Sequence, residues 1–298
     1  AADVGSPVAN NITIDFGGYT YAVNSPAVGS TNTETQAFHI EKGFILTLKN
    51  GTLTSADDAD SNVLMLFQNY CNLTLEDMTL DGTKINNGYT LSNNNGTVVI
   101  DNTTISAPQG KVAIDLYAMG SYDGPSVSIK GNSHIDGTIE YGLINSSAGA
   151  DAKYNLSLTI ESGKIKDITF PKSMDSRITS NVVISGGEFE STLNTKYINT
   201  IDVVKSLKAN IVFAENGDYI TLQKGAAFDG TISYTDDKGV LSSVVFPGVK
   251  ASAESTITAG SVEISGSFTT DSSGNITVTG DAVITGDSTL GSGLTLTV

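Results

Sequence analysis

Apolar and polar residues alternate along many short stretches of this chain, and the clearest of them runs from Asn72 to Gly82. Within it Leu73, Leu75 and Leu80 occupy one phase, and polar residues occupy the other. Because successive side chains of a strand point to opposite faces, the pattern predicts two short strands that bury one face. A polar corner separates the two strands.

The same unit recurs along the first two thirds of the chain. Its rule is apolar, any residue, apolar, then a short polar or small segment, then apolar. The second apolar positions of six copies are separated by 27, 25, 29, 31 and 24 residues: Leu48, Leu75, Ile100, Ile129, Ile160 and Ile184. A repeat of this length indicates a solenoid, in which stacked coils share one continuous core.

The repeat predicts an all-β protein whose main body is a right-handed, single-stranded parallel β-helix. Each coil is expected to hold three short strands, with loops of variable length at the corners. A β-sandwich is the competing fold, since its short strands also alternate with turn signals. The helix is favoured because the corner motif returns in phase with the long period, and a sandwich has no reason to repeat its corner.

The alternation weakens after residue 193, and three parts are predicted. Residues 1–195 form the β-helix, residues 196–255 form irregular β coils or a cap, and residues 256–298 form a smaller Gly/Thr-rich β segment of short strands. A solenoid needs ends that cover its last apolar layer, which motivates the cap. The C-terminal segment encloses little core, so it is expected to be most stable against its own copies in an oligomer, or against the helix.

Charge and cysteine content narrow the function classes. The chain of 298 residues carries a net charge of −16 and a single arginine, Arg177. Nucleic-acid binding needs a basic surface and is not expected, and no stretch is long and apolar enough for membrane insertion. Cys71 is the only cysteine, so no intrachain disulfide can form, and a small buried hydrophobe is its expected role.

Two groups of acidic residues are candidates for chemistry. The loop carrying Asp57, Asp58 and Asp60 offers carboxylates to a divalent cation such as Ca²⁺, although a solvated loop tip is the favoured interpretation. Asp77 and Asp101 fall at corners of neighbouring coils, offset by one place. Corners favour Asp and Asn for backbone reasons alone, so no catalytic residue and no cofactor are expected.

Tyrosines are the candidate ligand-binding residues. Tyr117 and Tyr122 flank a short turn-forming segment, and Tyr70, Tyr89 and Tyr141 are expected in loops. Exposed aromatic rings on a β-helix can stack on pyranose rings, although the chain has no tryptophan. Tyr89, Tyr117, Tyr122 and Tyr141 are therefore predicted to form a glycan platform.

Four stretches carry a resemblance to a known family: Asn11–Tyr19 (NITIDFGGY), Phe38–Gly43 (FHIEKG), Leu48–Leu53 (LKNGTL) and Asn72–Gly82 (NLTLEDMTLDG). They resemble the pectate-lyase-like superfamily of right-handed β-helices, and most of all its non-catalytic members on gut bacteria and their phages. The resemblance covers residues 11–190. The calcium-binding acids and the basic residue of true pectate lyases have no identifiable counterpart, so the resemblance implies the fold and no enzymatic activity.

These observations together predict a non-enzymatic extracellular protein with a structural or attachment role. The first choice is a phage virion surface component, such as a head fibre or capsid decoration, that binds host-surface or mucosal glycans. Its expected partners are virion capsid or fibre proteins, or cell-surface glycans, and a fibre predicts a homotrimer. A bacterial cell-surface adhesin is the alternative, and a polysaccharide lyase or hydrolase is the third choice.

Overall fold

Every regular element that the computed structural model describes is a β-strand, so the all-β prediction is confirmed. The described residues are 11–24, 35–56, 63–85, 88–191, 193–194, 196–201, 203–206, 211–212, 218–235, 241–253, 255–259, 262–270, 274–278, 282–284, 288–289, 291–292 and 296–297. No helix among them has the length and apolar character to span a bilayer. The chain divides into two compact units, Ala1–Asn181 and Val182–Val298, while the predicted boundaries at residues 195 and 255 stay predictions.

The first unit is a parallel β-solenoid of about five turns, as predicted. Its strands are β1 (Ile12–Asp15), β2 (Thr20–Val23), β3 (Gln36–Ile40), β4 (Ile45–Ser55), β5 (Met65–Asn69), β6 (Asn72–Asp81), β7 (Tyr89–Asn93), β8 (Gly96–Asp101), β9 (Thr104–Ser106), β10 (Val112–Ala118), β11 (Pro125–Lys130), β12 (His134–Ile144), β13 (Tyr154–Ile160), β14 (Lys164–Thr169) and β15 (Ile178–Ile184), within which the division falls.

Three stacks of parallel strands make up this solenoid. The first stack contains β1, the start of β4, the start of β6, β8, β11 and β13. The second contains β2, the end of β4, the end of β6, β9 and the starts of β12 and β14. The third contains β3, β5, β7, β10 and the later parts of β12 and β14. Each coil therefore contributes one strand to each stack.

The core is a set of apolar columns that run from coil to coil. In the first stack Leu48, Leu75, Ile100, Ile129 and Ile160 are successive register partners, and all five are buried. These are the second apolar positions of the repeat, so their predicted inward orientation is confirmed. One coil cannot shield its own inward side chains, and stacking supplies the missing neighbours.

The corner between the first and second stacks requires a left-handed backbone. Asn50, Asp77 and Asn102 occupy it on three successive coils with φ of 58°, 52° and 47°. Asn and Asp adopt this conformation more readily than other non-glycine residues, which confirms the corner interpretation of Asp77. Since Glu76 is the register partner of Asp101, the counterpart of Asp77 is Asn102, and the predicted offset is confirmed.

Two buried asparagines form a polar ladder at the end of the third stack. Asn69 and Asn93 are register partners, and the Asn69 side-chain amide donates to Asn93 Oδ1 at 3.0 Å and to the Cys71 carbonyl at 2.9 Å. Asn69 Oδ1 accepts from the Cys71 backbone N–H at 3.2 Å. Cys71 is buried, as predicted, and burial raises the pKa of its thiol to about 12.

The strands of the second unit range from two to ten residues in length and belong to two sheets. They are β16 (Glu188–Phe189), β17 (Leu193–Asn194), β18 (Thr200–Ile201), β19 (Val203–Ser206), β20 (Ile211–Val212), β21 (Asp218–Leu222), β22 (Ala226–Thr235), β23 (Leu241–Lys250), β24 (Ser255–Ala259), β25 (Val262–Thr270), β26 (Ile276–Val278), β27 (Ala282–Ile284) and β28 (Leu296–Thr297). β22 pairs antiparallel with β23 and β25. Phe228 lies between Phe246 and Phe268, with ring centroids 5.4 and 4.7 Å away, and this aromatic group is buried.

Candidate ligand-binding site

A row of polar side chains crosses the third stack at right angles to its strands. Register pairing places one residue from each coil in this polar row: His39, Gln68, Ser92, Asp115, Glu140 and Thr169. Their chain neighbours, such as Ile114 and Leu116, are buried in the core. Because side chains alternate along a strand, the row points away from that core. The solenoid thus carries a line of hydrogen-bonding groups spaced by the distance between strands, of which Ser92 and Asp115 are buried.

Asp115 is the most unusual member of the polar row because it is a carboxyl group with only 3% of its surface exposed. Its Oδ1 accepts the Asn93 backbone N–H at 3.1 Å. Burial raises the pKa of Asp115 to about 7, and the neighbouring Glu140 carboxylate adds to the increase, whereas hydrogen bonds from Ser92 and Asn93 oppose it. Burial also raises the pKa of Glu140. Two carboxyl groups in register thus lie where charge is disfavoured.

Three tyrosines lie close enough to Asp115 for its charge to affect them. Burial raises the pKa of Tyr70, Tyr89 and Tyr117, and the nearby Asp115 carboxylate raises each of them further. Tyr89 and Tyr117 are partly exposed, while Tyr70 is buried. The partly exposed rings provide apolar surface near the carboxyl groups.

A cleft lies at the corner where the chain passes from the third stack to the first. Its volume is about 340 Å³, and Lys42, Tyr70, Asn72 and Asp123 are among its lining residues. The Tyr122 ring stands 5.0 Å from the Tyr70 ring and 5.4 Å from Lys42 Nζ. Lys42 Nζ also lies 3.6 Å from Asp123 Oδ2. We call this feature the corner cleft.

Two glycines are required by the walls of the corner cleft. Gly96 has a φ of +78°, and a Cβ there would lie 2.0 Å from the Cys71 carbonyl oxygen. Gly124 has a φ of +113°, and its Cβ would lie 2.4 Å from the Asn155 carbonyl oxygen. Since a side chain would collide with backbone at both positions, the close packing of neighbouring corners depends on glycine.

The structure brings three of the four predicted ligand-binding tyrosines to this side of the solenoid. Tyr89 and Tyr117 lie beside the polar row, and Tyr122 lies beside the corner cleft. The expected loop placement of Tyr89 and Tyr141 is corrected. Tyr89 is the first residue of β7, and Tyr141 lies within β12 and is fully buried. Its hydroxyl donates to the Leu156 carbonyl at 2.7 Å. The alternation that turns Glu140 outward turns Tyr141 into the core.

The acidic candidates lie elsewhere. Asp101 Oδ2 is 3.1 Å from Lys130 Nζ on the next coil, in a partly exposed ion pair, and Asp77 serves the corner backbone. The candidate metal ligands Asp57, Asp58 and Asp60 lie outside the described residues, so that site stays a prediction. Across the described parts of the chain, no three His, Cys, Asp or Glu side chains are grouped so as to hold a metal ion.

Asp115 and Glu140 were not identified from the sequence, although a signal for Asp115 exists. It is the one charged residue within the apolar run Val112–Ala118, where a buried carboxyl is rare unless it is paired or functional. Glu140 has no such signal, because it occupies an ordinary polar phase of β12. Its importance comes only from its register with Asp115.

No protein-family model matches this chain, and neither the curated proteins nor the solved structures provide a match. Inference about function therefore depends on the geometry of the first unit. The polar row, the partly exposed tyrosines and the corner cleft all occur on one side of that unit, around residues that lie far apart in the sequence.

Proposed function

We propose that the protein is a non-enzymatic, extracellular attachment protein that binds glycans on the side of its solenoid that carries the polar row. The observation that carries this proposal is the grouping of Tyr89, Tyr117 and Tyr122 around hydrogen-bonding side chains. Sugar-binding sites need flat apolar surface for the C–H faces of a pyranose and polar groups for its hydroxyls. Both occur here.

The spacing of the polar row supports a polymeric ligand. Neighbouring strands lie about 4.8 Å apart, so the row is a regular series of polar positions along the solenoid axis. His39, Gln68, Glu140 and Thr169 are its partly or fully exposed members, whereas Ser92 and Asp115 are buried. A chain of sugars lying along the axis meets a regular series of partners, whereas a single small ligand uses only one or two of them.

Within this class, the preferred role is a phage virion surface component, either a head fibre or a capsid decoration protein, of the pectate-lyase-like superfamily's non-catalytic branch. The resemblance of the corner motifs, the solenoid fold and the net charge of −16 support a hydrated exterior protein. A bacterial cell-surface adhesin is the alternative. Immunogold microscopy separates the two, because an antibody against a virion component labels phage particles, whereas an antibody against an adhesin labels cell envelopes.

Glycan binding is tested with an array of host-surface and mucosal glycans. We expect binding by the wild-type protein and at least a tenfold weaker affinity for Tyr117→Ala, equivalent to about 1.4 kcal/mol. Tyr19→Ala is the matched control, because Tyr19 is 78% exposed at the corner between the first and second stacks. Wild-type protein that binds no glycan, or equal losses in both variants, would contradict the proposal.

A polysaccharide-cleaving enzyme is the second candidate, and the in-register pair Asp115 and Glu140 favours it. Glycoside hydrolysis needs one protonated and one ionised carboxyl group across the scissile bond. The Asp115 pKa of about 7 suits an acid, and the partly exposed Glu140 suits the base or nucleophile. Because only 3% of the Asp115 surface is exposed, the residues that cover it would have to move before a leaving oxygen could reach it. The enzyme is supported only if incubation shortens a bound polysaccharide and Asp115→Asn abolishes that shortening.

A further inference from the structure

The corner cleft differs from the polar row in its chemistry, because it holds a cation and an anion side by side. We propose that it is a subsite for one uncharged pyranose unit of the glycan, with Tyr122 against the ring and with Lys42 and Asp123 at its hydroxyl groups. This inference rests on the proposed glycan binding and names the place and the class of sugar. Variants of the corner cleft distinguish failure of this subsite from failure of glycan binding as a whole.

The size of the corner cleft fits a single sugar unit. Its volume of about 340 Å³ lies at the lower end of the range of about 300–1,000 Å³ that is usual for small-molecule sites. Its residues come from four successive corners of the solenoid, among them Lys42, Tyr70, Asn95 and Asp123. A ligand seated there contacts several coils at once.

Tyr122 borders the corner cleft without lining it, since its ring lies 5.0 Å from the Tyr70 ring and 5.4 Å from Lys42 Nζ, two residues that do line it. It is held in a defined position there. Its backbone N–H donates to the Met119 carbonyl at 3.2 Å within a turn. On either side of Tyr122, the Gly120 carbonyl accepts from the Tyr154 hydroxyl at 2.7 Å and the Asp123 carbonyl accepts from the Asn155 N–H at 2.8 Å. Little conformational freedom is therefore left to lose when a ring stacks on Tyr122, which favours binding.

Lys42 and Asp123 supply complementary hydrogen-bonding groups. Their side chains are 50% and 89% exposed, and 3.6 Å separates the two charged atoms, so the pair itself is weak and easily shared with a ligand. An ammonium only donates and a carboxylate only accepts, whereas a sugar hydroxyl does both. Adjacent hydroxyls of a pyranose can bridge the pair without leaving either charge unsatisfied.

The same pair selects against charged sugars. A uronate carboxylate near Lys42 also lies near Asp123, whose negative charge repels it. The protein's net charge of −16 adds to this repulsion. The ammonium of an amino sugar near Asp123 is repelled by the Lys42 ammonium. Like charges at such distances disfavour both ligands, so a neutral hexose or N-acetylhexosamine fits best.

The test is saturation-transfer NMR and titration calorimetry with glucose, N-acetylglucosamine, glucosamine and glucuronate, together with a glycan that the wild-type protein binds on the array. We expect the neutral sugars to bind at least tenfold more tightly than the charged ones. Tyr122→Ala and Lys42→Met should each weaken neutral-sugar binding at least tenfold. Lys49→Met is the matched control, since Lys49 is a partly exposed lysine of the first stack that pairs with Asp15 at 3.7 Å.

A second variant keeps the test independent of folding. Asp123→Asn should improve glucuronate binding at least fivefold relative to glucose, because it removes the opposing charge and leaves Lys42 in place. Array binding that persists within twofold in Tyr122→Ala and Lys42→Met overturns the subsite and leaves the proposed function standing. Tighter binding of either charged sugar than of glucose also overturns it. A wild-type protein that binds no glycan overturns both proposals.

Discussion

Asp115 is a carboxyl group in a place where a negative charge is disfavoured. It is almost fully buried, and Glu140 lies beside it on the next coil. The other titratable groups near it are the phenols of Tyr70, Tyr89 and Tyr117, which carry no positive charge. The pKa of about 7 follows from these surroundings, and it makes the protonation of this residue sensitive to the physiological pH range.

The free energy of unfolding should therefore fall as pH rises from about 4 to about 7. In this window the native state binds the Asp115 proton, whereas an unfolded aspartate, with a pKa of about 3.9, has lost it, so the slope with pH is negative. At pH 8, Asp115→Asn should stabilise the protein by about 1–4 kcal/mol, at about 1.4 kcal/mol per pKa unit. At pH 4 its effect should be small. Urea unfolding at the two pH values measures the difference.

The control for this prediction is Asp123→Asn, because Asp123 is 89% exposed. Its effect should stay within about 0.5 kcal/mol at both pH values, as is usual for surface substitutions. If Asp115→Asn changes stability equally at pH 4 and pH 8, the native pKa of Asp115 is not raised and the explanation given for it is wrong.

Cys71 should be inert in the native protein. It is buried, and its thiol has a pKa of about 12, so at pH 8 almost no thiolate is available to react. We expect no reaction with a chromogenic disulfide reagent in native buffer, and one thiol per chain in concentrated guanidinium chloride. Stoichiometric labelling of the native protein within minutes would show that the corner around Cys71 opens.

At the scale of elements, the ends of β5 and β7 are joined by buried polar side chains beside the apolar core. Asn69 makes hydrogen bonds to Asn93, to the Cys71 carbonyl and to the Cys71 N–H. Two of these bonds give hydrogen-bond partners to the N–H and the carbonyl of Cys71, which lies between β5 and β6 where the chain turns the corner. The ladder therefore fixes the direction of the chain at the point where the corner cleft begins.

Asn69→Ala should destabilise the first unit by about 2–4 kcal/mol, because it leaves several buried polar groups without partners at about 1–3 kcal/mol each. The urea midpoint and slope give the size of the loss. Asn72→Ala is the comparison, since Asn72 is exposed and its Oδ1 accepts one N–H, that of Thr97 at 3.1 Å. Equal losses in the two variants would mean that the ladder contributes no more than an exposed hydrogen bond.

Strand stacking could be predicted from the sequence because it depends on alternation and period, which are local. The alternation around Leu75 and Ile100 predicts one apolar column of the core. The polar segment that follows Leu75 predicts that Asp77 lies at a corner. The site could not be predicted in the same way. Lys42 and Tyr122 are brought together by loops of unequal length. After an irregular loop, the neighbouring residues do not show which face of the solenoid a side chain occupies. Tyr141 is a different case, because it continues the buried phase of Ile135 and Ile139 in β12, and the alternation therefore contained the signal that it lies in a strand.

At the scale of the whole molecule, acidic residues outnumber basic ones 32 to 16. Such an excess keeps a protein hydrated and opposes non-specific association at low ionic strength. Any assembly must therefore be specific, through apolar contact or strand pairing, and must be measured in salt that screens the charge.

The proposed fibre role predicts a trimer, with a mass three times the 30.9 kDa of one chain. Light scattering at physiological and at higher salt, over a range of concentrations, measures this mass. A trimer that persists on dilution supports assembly through the chain's own strands. A constant mass near 30.9 kDa contradicts a self-assembling fibre, and a capsid decoration or an adhesin then becomes the better form of the proposal.

The corners of the solenoid have a consequence for how such a protein changes over generations. Its repeats of 24 to 31 residues keep Leu75, Ile100 and Ile129 in one column, so the scaffold tolerates insertions and deletions between strands. The loop bearing Tyr122 lies at such a position. That loop can therefore be exchanged without redesigning the fold, and a binding surface built on it is free to diversify while the architecture is inherited intact.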